Sequence, residues 1–313
     1  MKILITTYPF NESNSIIVEL RKIEPLIEFN SYKRKMSKKE LNEKLQKFQP
    51  DIIIAGTEQY SSSVLDLVPN LKMISRVGIG LDSVDLIECE KRNILVTNTP
   101  DAPSNAVAEL TIGQMFNALR KFRDVDNDMR VGKWNRFIGR DISECKIGII
   151  GCGRIGKLVI EKLESLKPKK LLIHDINSNT YNEIEYDGCH HSSKETILKE
   201  CDIISIHIPL NYDNVDYISY ADLKNLKTEA IIINASRGGI VNELDLYQWL
   251  VENPKNTAIV DVFEKEPYFK DLTTLNNIIL SPHLGSCTEK SRLMMECGSI
   301  KNVIKFIENE KKS

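Results

Sequence analysis

Short runs of aliphatic and β-branched residues alternate with longer stretches in which apolar positions recur every three or four residues, and the alternation continues over nearly the whole chain. Runs of the first kind read as strands and stretches of the second kind as helices that cover them. In the first third the pattern predicts strands near 2–6, 26–29, 52–55, 72–76 and 94–97, with helices between them. One of those helices opens on the capping box Ser37-x-x-Glu40. A second series starts at Lys146, with strands predicted at 146–150, 170–174, 202–206, 230–234, 257–262 and 277–281. Between the two series runs a helical pattern from about Ser104 to Phe122. Another closes the chain from Ser286 to about Ile307, started by Ser286-x-x-Glu289.

Strands that alternate with helices form parallel sheets, so the class is α/β. Six strands in the second series suit a doubly wound, Rossmann-type dinucleotide-binding sheet, and five in the first make a smaller one. A chain of 313 residues exceeds what one core usually supports, which favours two lobes. The helices near 104 and 286 would carry the chain between them. The first lobe is then discontinuous, residues 1–99 with 285–313, and residues 100–284 form the second.

Charge and composition narrow the partners. A formal charge of -2 with 27% charged residues of both signs leaves no basic face for nucleic acid, and Lys33-Arg34-Lys35 reads as solvated surface. No apolar run approaches the ~18 residues of a membrane helix, and Ile3-Leu4-Ile5 is too short for a signal-peptide core, so a soluble, cytoplasmic protein is expected. The seven cysteines are odd in number and never spaced Cys-x-x-Cys, and the five histidines lack ligand spacing; neither a disulfide framework nor a metal is expected. The adjacent His190 and His191 read as surface.

Gly151-Cys152-Gly153-Arg154-Ile155-Gly156 is a G-x-G-x-x-G run between the strand Ile147-Gly148-Ile149-Ile150 and a helical pattern from Lys157. Alone it is a weak signal, but strand, turn and helix are the setting in which a pyrophosphate meets a helix amino end. Asp175 closes the next strand nineteen positions after Gly156, where an acid accepts hydrogen bonds from the adenosine ribose. A 2'-phosphate would face that carboxylate with no Arg in Ile176-Asn177-Ser178 to offset it, so NAD is expected over NADP.

Ligands of open parallel sheets bind beyond the carboxyl ends of the strands. Three polar residues follow strands there: Arg237 in Asn234-Ala235-Ser236-Arg237-Gly238-Gly239, Glu266 before Pro267, and His283 in Ser281-Pro282-His283-Leu284-Gly285. Carbonyl reduction needs a cation for the substrate carboxylate, a proton donor for the developing alkoxide, and a carboxylate to orient that donor; Arg, His and Glu meet those needs. Each could singly be a surface residue, and placement alone leaves the reaction open.

With these motifs in family order and spacing, the chain resembles the D-isomer-specific 2-hydroxyacid dehydrogenases over essentially its whole length. The first lobe is similar too, in Arg76-Val77-Gly78-Ile79-Gly80-Leu81-Asp82, Asn98-Thr99-Pro100 and Ala106-Val107-Ala108-Glu109. The resemblance implies a Rossmann-type cofactor domain and a smaller flavodoxin-like α/β substrate domain. It implies that Arg237 binds substrate, that His283 is the acid/base with Glu266 as its partner, and that backbone amides around Val77 and Gly78 receive the substrate carboxylate. It carries NAD contacts to Gly151, Gly153, Arg154, Ile155, Gly156, Asp175, His207, Ile208, Pro209, Ala235, Ser236, Asp261, Gly285 and Ser286. It also implies a homodimer, with Gly132-Lys133-Trp134-Asn135-Arg136 in the dimer arm.

Within the family the chain is most similar to the phosphoglycerate dehydrogenase branch. Arg76 and Arg136 match cations of that branch, yet Ala55-Gly56-Thr57-Glu58 occupies the loop where a further Arg is expected. Hydroxypyruvate, glyoxylate or another small 2-keto acid therefore stands beside phosphoglycerate as substrate; formate is disfavoured because that branch lacks the Glu-His pair. Further departures are Ile208 and Asn211, where threonine is common, and Cys145 in place of a glycine. A different class, a non-catalytic NAD-responsive binding protein, shares the fold, but the intact Arg237, Glu266 and His283 favour an enzyme.

Overall fold

The computed structural model describes residues 1–24, 26–184 and 188–312. The chain divides into two compact units: residues Met1–Pro103 with the stretch from Cys287 onward, and residues Ser104–Ser286.

The first unit opens with β1 (Ile3–Ile5), α1 (Ser15–Ile23), β2 (Ile27–Phe29), α2 (Lys38–Phe48), β3 (Ile52–Ala55), α3 (Ser62–Leu65), β4 (Met73–Arg76), α4 (Leu86–Lys91) and β5 (Leu95–Thr97). Its five strands are all parallel, in the order β2-β1-β3-β4-β5. That is the flavodoxin-like order. Successive strand residues point to opposite faces, which splits the aliphatic runs between two half-cores. Ile3, Ile5, Ile52, Ile54 and Met73 pack on Ile16, Ile17 and Leu20 of α1, whereas Leu4, Ile53, Ala55 and Ile74 pack on Leu41 and Leu45 of α2 and on Val64 and Leu65 of α3. Each Ile, Leu, Val or Met among them, fully buried, stabilises the unit by roughly 1.5–3 kcal/mol before its ordering cost. α2 begins with the reciprocal box in which Ser37 accepts from the Glu40 amide and Glu40 accepts from the Ser37 amide.

The second unit holds α5 (Ser104–Arg120), α6 (Phe122–Arg130), β6 (Lys146–Ile150), α7 (Arg154–Leu166), β7 (Lys170–His174), β8 (Cys189–His191), α8 (Lys194–Glu200), β9 (Ile203–Ile206), α9 (Tyr220–Leu223), β10 (Ile231–Asn234), α10 (Glu243–Glu252), β11 (Thr257–Val260) and β12 (Ile278–Leu280). All seven strands are parallel, in the order β12-β11-β10-β9-β6-β7-β8. The chain reverses direction across the sheet between β6 and β9, the Rossmann-type switch point. Ile147, Ile149, Leu171, Ile173, Ile231, Ile233 and Ile259 face α5 and α7; Leu172, Ile204, Ile206, Ile232 and Val260 face α8 and α10.

Two elements of this unit exceed the pattern read from sequence. β8 is a seventh strand of three residues whose histidines are both exposed, too short to show a period. The helical stretch from Ser104 stops at Arg120, because Lys121 takes a left-handed φ of 52°, and α6 starts afresh.

The chain closes with α11 (Glu289–Glu310), which belongs to the first unit and lays Met295, Ile300, Val303 and Ile307 on the Ile3 and Ile5 face. Its cap corrects the expectation placed on Ser286. Thr288 is the N-cap, its side chain accepting from the Ser291 amide at 3.1 Å. Among the described residues no helix is long and apolar enough to cross a membrane.

Candidate active site

β10, β11 and β12 are neighbours, and the segments leaving their carboxyl ends carry Arg237, Glu266 and His283. Asn234, buried at the end of β10, shapes the first segment: its side-chain oxygen accepts from the Ser236 amide at 3.1 Å and from Ser236 Oγ at 2.7 Å, while its Nδ2 donates to the Arg237 carbonyl at 2.9 Å. Arg237 is half-buried, and its guanidinium donates to the Ser236 carbonyl at 2.6 Å. The amide of Asp261 donates to the Asn234 carbonyl, which ties the second segment to the first.

His283 Nδ1 lies 3.0 Å from Glu266 Oε1 and 2.9 Å from Oε2. An ionised carboxylate only accepts, so Nδ1 carries the hydrogen and Nε2 is the nitrogen suited to exchange a proton with a substrate. The pair is half-exposed, reachable yet shielded. His283 has a left-handed φ of 56°, an uncommon conformation for a residue with a side chain. It is held there by its amide bonds to the carbonyls of Asp261 (2.8 Å) and Ser281 (3.0 Å).

Asp261 does more in that loop than sequence reasoning assigned to it. Its buried carboxylate accepts from Ser281 Oγ and the Leu284 amide on one oxygen and from the Gly285 amide on the other. Three donors from residues 281–285 thus converge on one acid at the end of β11 and fix the backbone that presents His283. A lone acid at a strand end gives no sequence signal for this role, because its partners lie twenty or more residues away.

The dinucleotide motif is built at the β6–β9 switch point. Gly151 has a φ of 94°, and a Cβ there would meet the His207 carbonyl at 2.6 Å, so only glycine fits this turn. Gly153 is the N-cap of α7, with no side-chain cap bond to the helix and, among the described residues other than its chain neighbours, no atom within 4 Å of an added Cβ. Open space beside a helix amino end, where Arg154, Ile155 and Gly156 form the first turn, suits a pyrophosphate. Asp175 leaves β7 with Oδ2 accepting from the Cys152 amide at 2.7 Å and Oδ1 from the Asn177 amide at 2.8 Å, which places the acid against the glycine turn with acceptor capacity remaining for ribose hydroxyls. His207 is buried after β9: Nε2 lies 2.9 Å from Ser205 Oγ, and Nδ1 has no hydrogen-bond partner among the described residues. An orphaned, buried ring nitrogen beside the glycine turn is a receptor for a polar group brought by the cofactor. The residues present therefore fit NAD. Ile208 and Pro209 continue from His207 at the surface of the same edge, and Ala235, Ser236, Gly285 and Ser286 flank Arg237 and His283.

The expected substrate contacts fall differently. Arg76 ends β4 in the first unit, whereas Arg136 is exposed after α6 in the second. The two amides expected to receive a carboxylate are engaged within the first unit: Val77 N–H continues the sheet to the Ala55 carbonyl at 3.0 Å, and Gly78 N–H donates to Thr99 Oγ1 at 2.9 Å.

Residues 112–285 match the family described as D-isomer specific 2-hydroxyacid dehydrogenase, NAD binding domain. The chain is 33% identical to a glyoxylate reductase of Thermococcus litoralis, over 83% of this chain and 81% of that protein. It is 31% identical to a D-3-phosphoglycerate dehydrogenase of Methanocaldococcus jannaschii, over 93% of this chain and 55% of the longer relative. Among solved structures it superposes on the NAD+-bound 3-phosphoglycerate dehydrogenase of Entamoeba histolytica with a TM-score of 0.79, at 26% identity, over 99% of this chain and 96% of that one.

Proposed function

The chain belongs to the D-isomer-specific 2-hydroxyacid dehydrogenase family, an NAD-dependent oxidoreductase acting on the CH–OH group, and from that premise we propose that Arg237, Glu266 and His283 carry its reaction. The observation that carries the proposal is the Glu266 carboxylate held 2.9–3.0 Å from His283 Nδ1 at the ends of adjacent strands. When bound, the reduced cofactor NADH would supply the hydride for reduction of a 2-keto acid, and the oxidised cofactor NAD+ would accept it from the corresponding 2-hydroxy acid. His283 Nε2 gives a proton to the carbonyl oxygen in the first direction and takes it from the hydroxyl in the second. Glu266 fixes the ring's tautomer and orientation, and Asp261 fixes the backbone beneath it. Arg237 offers a planar fork to the substrate carboxylate. The amino end of α7, Asp175 and His207 hold the dinucleotide, and the first unit, with Arg76 at the end of β4, serves as the substrate lobe.

The protein works as a homodimer, a reading supported by the exposed apolar side chains of Val131 (69%), Trp134 (80%) and Ile138 (97%) on one continuous segment. The cysteines, four of them buried as free thiols, fit a reducing compartment, and we place the protein in the cytoplasm.

The test is the NADH absorbance of purified protein mixed with hydroxypyruvate, glyoxylate and related 2-keto acids. Turnover is expected, and His283→Ala should lower kcat/KM by about 100 to 10,000-fold while NADH affinity stays within about twofold. Turnover unchanged in that variant refutes the role of His283. NADH binding without turnover on any keto acid favours the binding-protein alternative.

A further inference from the structure

Asp175 stands where β7 ends, and the stretch that follows has no apolar anchor of its own: residues 176–179 are all exposed, Ile176 at 93%. A carboxylate that is to meet two ribose hydroxyls needs a fixed backbone beneath it. One phenol supplies that. The Tyr181 hydroxyl accepts from the Asp175 amide at 2.9 Å and donates to the Asp175 carbonyl at 2.8 Å. A phenolic oxygen can donate and accept at once, and here both bonds close on the main chain of a single residue.

Tyr181 is itself held from several sides. It lies in the 3₁₀ turn Ser178–Glu183, whose N-cap Asn177 accepts with its side-chain oxygen from the Asn179 amide at 3.1 Å. The Asn177 amide donates in turn to Asp175 Oδ1 at 2.8 Å, so turn and carboxylate form one hydrogen-bonded unit. The Tyr181 ring packs on the half-core that contains Leu171 and Ile173, and the His191 ring of β8 meets it edge-on, with centroids 3.7 Å apart at 75°. β8 thus backs the phenol, a role that its two exposed histidines do not suggest. Asp175 Oδ2 accepts from the Cys152 amide at 2.7 Å, inside the glycine turn. Among the described residues, each carboxylate oxygen therefore uses one of its two lone-pair directions, and the second is left for a ligand such as a ribose diol, which offers two donors.

We propose that Tyr181 is a positioning residue for the cofactor: it fixes Asp175 so that the carboxylate takes the 2'- and 3'-hydroxyls of the adenosine ribose and meets a 2'-phosphate with like charge. The inference rests on the reading of Asp175 as the ribose acceptor and deepens it, because selectivity for NADH over NADPH then belongs to an acid and a phenol together. Without the hydroxyl, the amide and carbonyl of Asp175 turn to water and the acid moves with an exposed loop. Hydrogen bonds to the ribose depend steeply on distance and angle and weaken. Repulsion of a phosphate falls off over a Debye length and changes less.

The experiment measures the dissociation constants of NADH and NADPH, by dihydronicotinamide fluorescence, for the wild-type protein, Tyr181→Phe, Asp175→Ala and the double variant. Wild type should bind NADH about tenfold or more tighter than NADPH, and Asp175→Ala should lose most of that preference by weakening NADH. Tyr181→Phe, which keeps the ring and removes the hydroxyl, should weaken NADH by about tenfold and leave NADPH within about twofold. In the Asp175→Ala background the same substitution should change NADH affinity by less than about twofold, since a residue that acts through another then has nothing to act on. Equal weakening of both dinucleotides by Tyr181→Phe overturns the inference, as does an effect that persists undiminished in the Asp175→Ala background. Loss of the native circular dichroism in Tyr181→Phe assigns the hydroxyl to the fold and overturns it too. A wild type that prefers NADPH, or Asp175→Ala protein that binds NADH as tightly as wild type, overturns the ribose reading of Asp175 and this inference with it. A loss in Asp175→Ala with none in Tyr181→Phe overturns this inference alone.

Discussion

His207 shows how burial at one residue sets a property of the whole chain. Loss of hydration pushes its pKa from an ordinary 6.5 down to about 4, so the ring stays neutral in the folded protein where an unfolded chain would protonate it. Above pH 6.5 both states are neutral and the residue adds no pH dependence. As pH falls from 6.5 towards 4, the unfolded state gains the proton first and stability drops, by about 3 kcal/mol across the window. His207→Gln should flatten the fall of Tm with pH over that range, and an unchanged slope would refute the assignment. The residues named from sequence as reaction partners, Glu266 and His283, could be singled out because acid and imidazole both follow predicted strands. Asp261 as the clamp of the His283 loop could not, since its donors are remote in sequence and a lone acid has no periodicity.

At the scale of elements, local chemistry fixed much but not every boundary. Ser37 and Glu40 form the capping box that their spacing announces, because both partners lie within one turn. Ser286 and Glu289 have the same spacing and do not start a helix; Thr288 caps α11 instead. Thr288→Ala should therefore cost about 1 kcal/mol in denaturant-induced unfolding, whereas Ser286→Ala should stay within about 0.5 kcal/mol. Equal losses from the two substitutions would contradict the observed cap. α6 had a legible signal in Phe122, Val125 and Met129, but the left-handed Lys121 that separates it from α5 is a backbone event that lysine does not advertise. β8 exists because β7 offers it a sheet edge, with pairs from Leu171 and Cys189 to Ile173 and His191, and three residues ending in two exposed histidines carry no strand pattern of their own.

At the scale of the molecule, the exposed apolar segment around Trp134 and Ile138 is where the proposed homodimer is tested. Ile138→Lys should shift the sedimentation of the protein from dimer to monomer at micromolar concentration, and a wild-type protein that sediments as a monomer would refute the dimer. The sequence by itself determined the α/β class, the parallel sheets and the NAD motif, because each depends on periodicity or on residues a few positions apart. Tertiary structure alone decided which strands are neighbours, and so brought Glu266 to His283 across seventeen positions and folded α11 back on α1 and β4. It also decided that the Val77 and Gly78 amides bond within the first unit and that Glu58, after β3, accepts a hydrogen bond from Thr6, after β1. Contacts of that kind arise when separate segments converge, and the physical preference of one residue for another across such a gap leaves no mark in the spacing of a single chain.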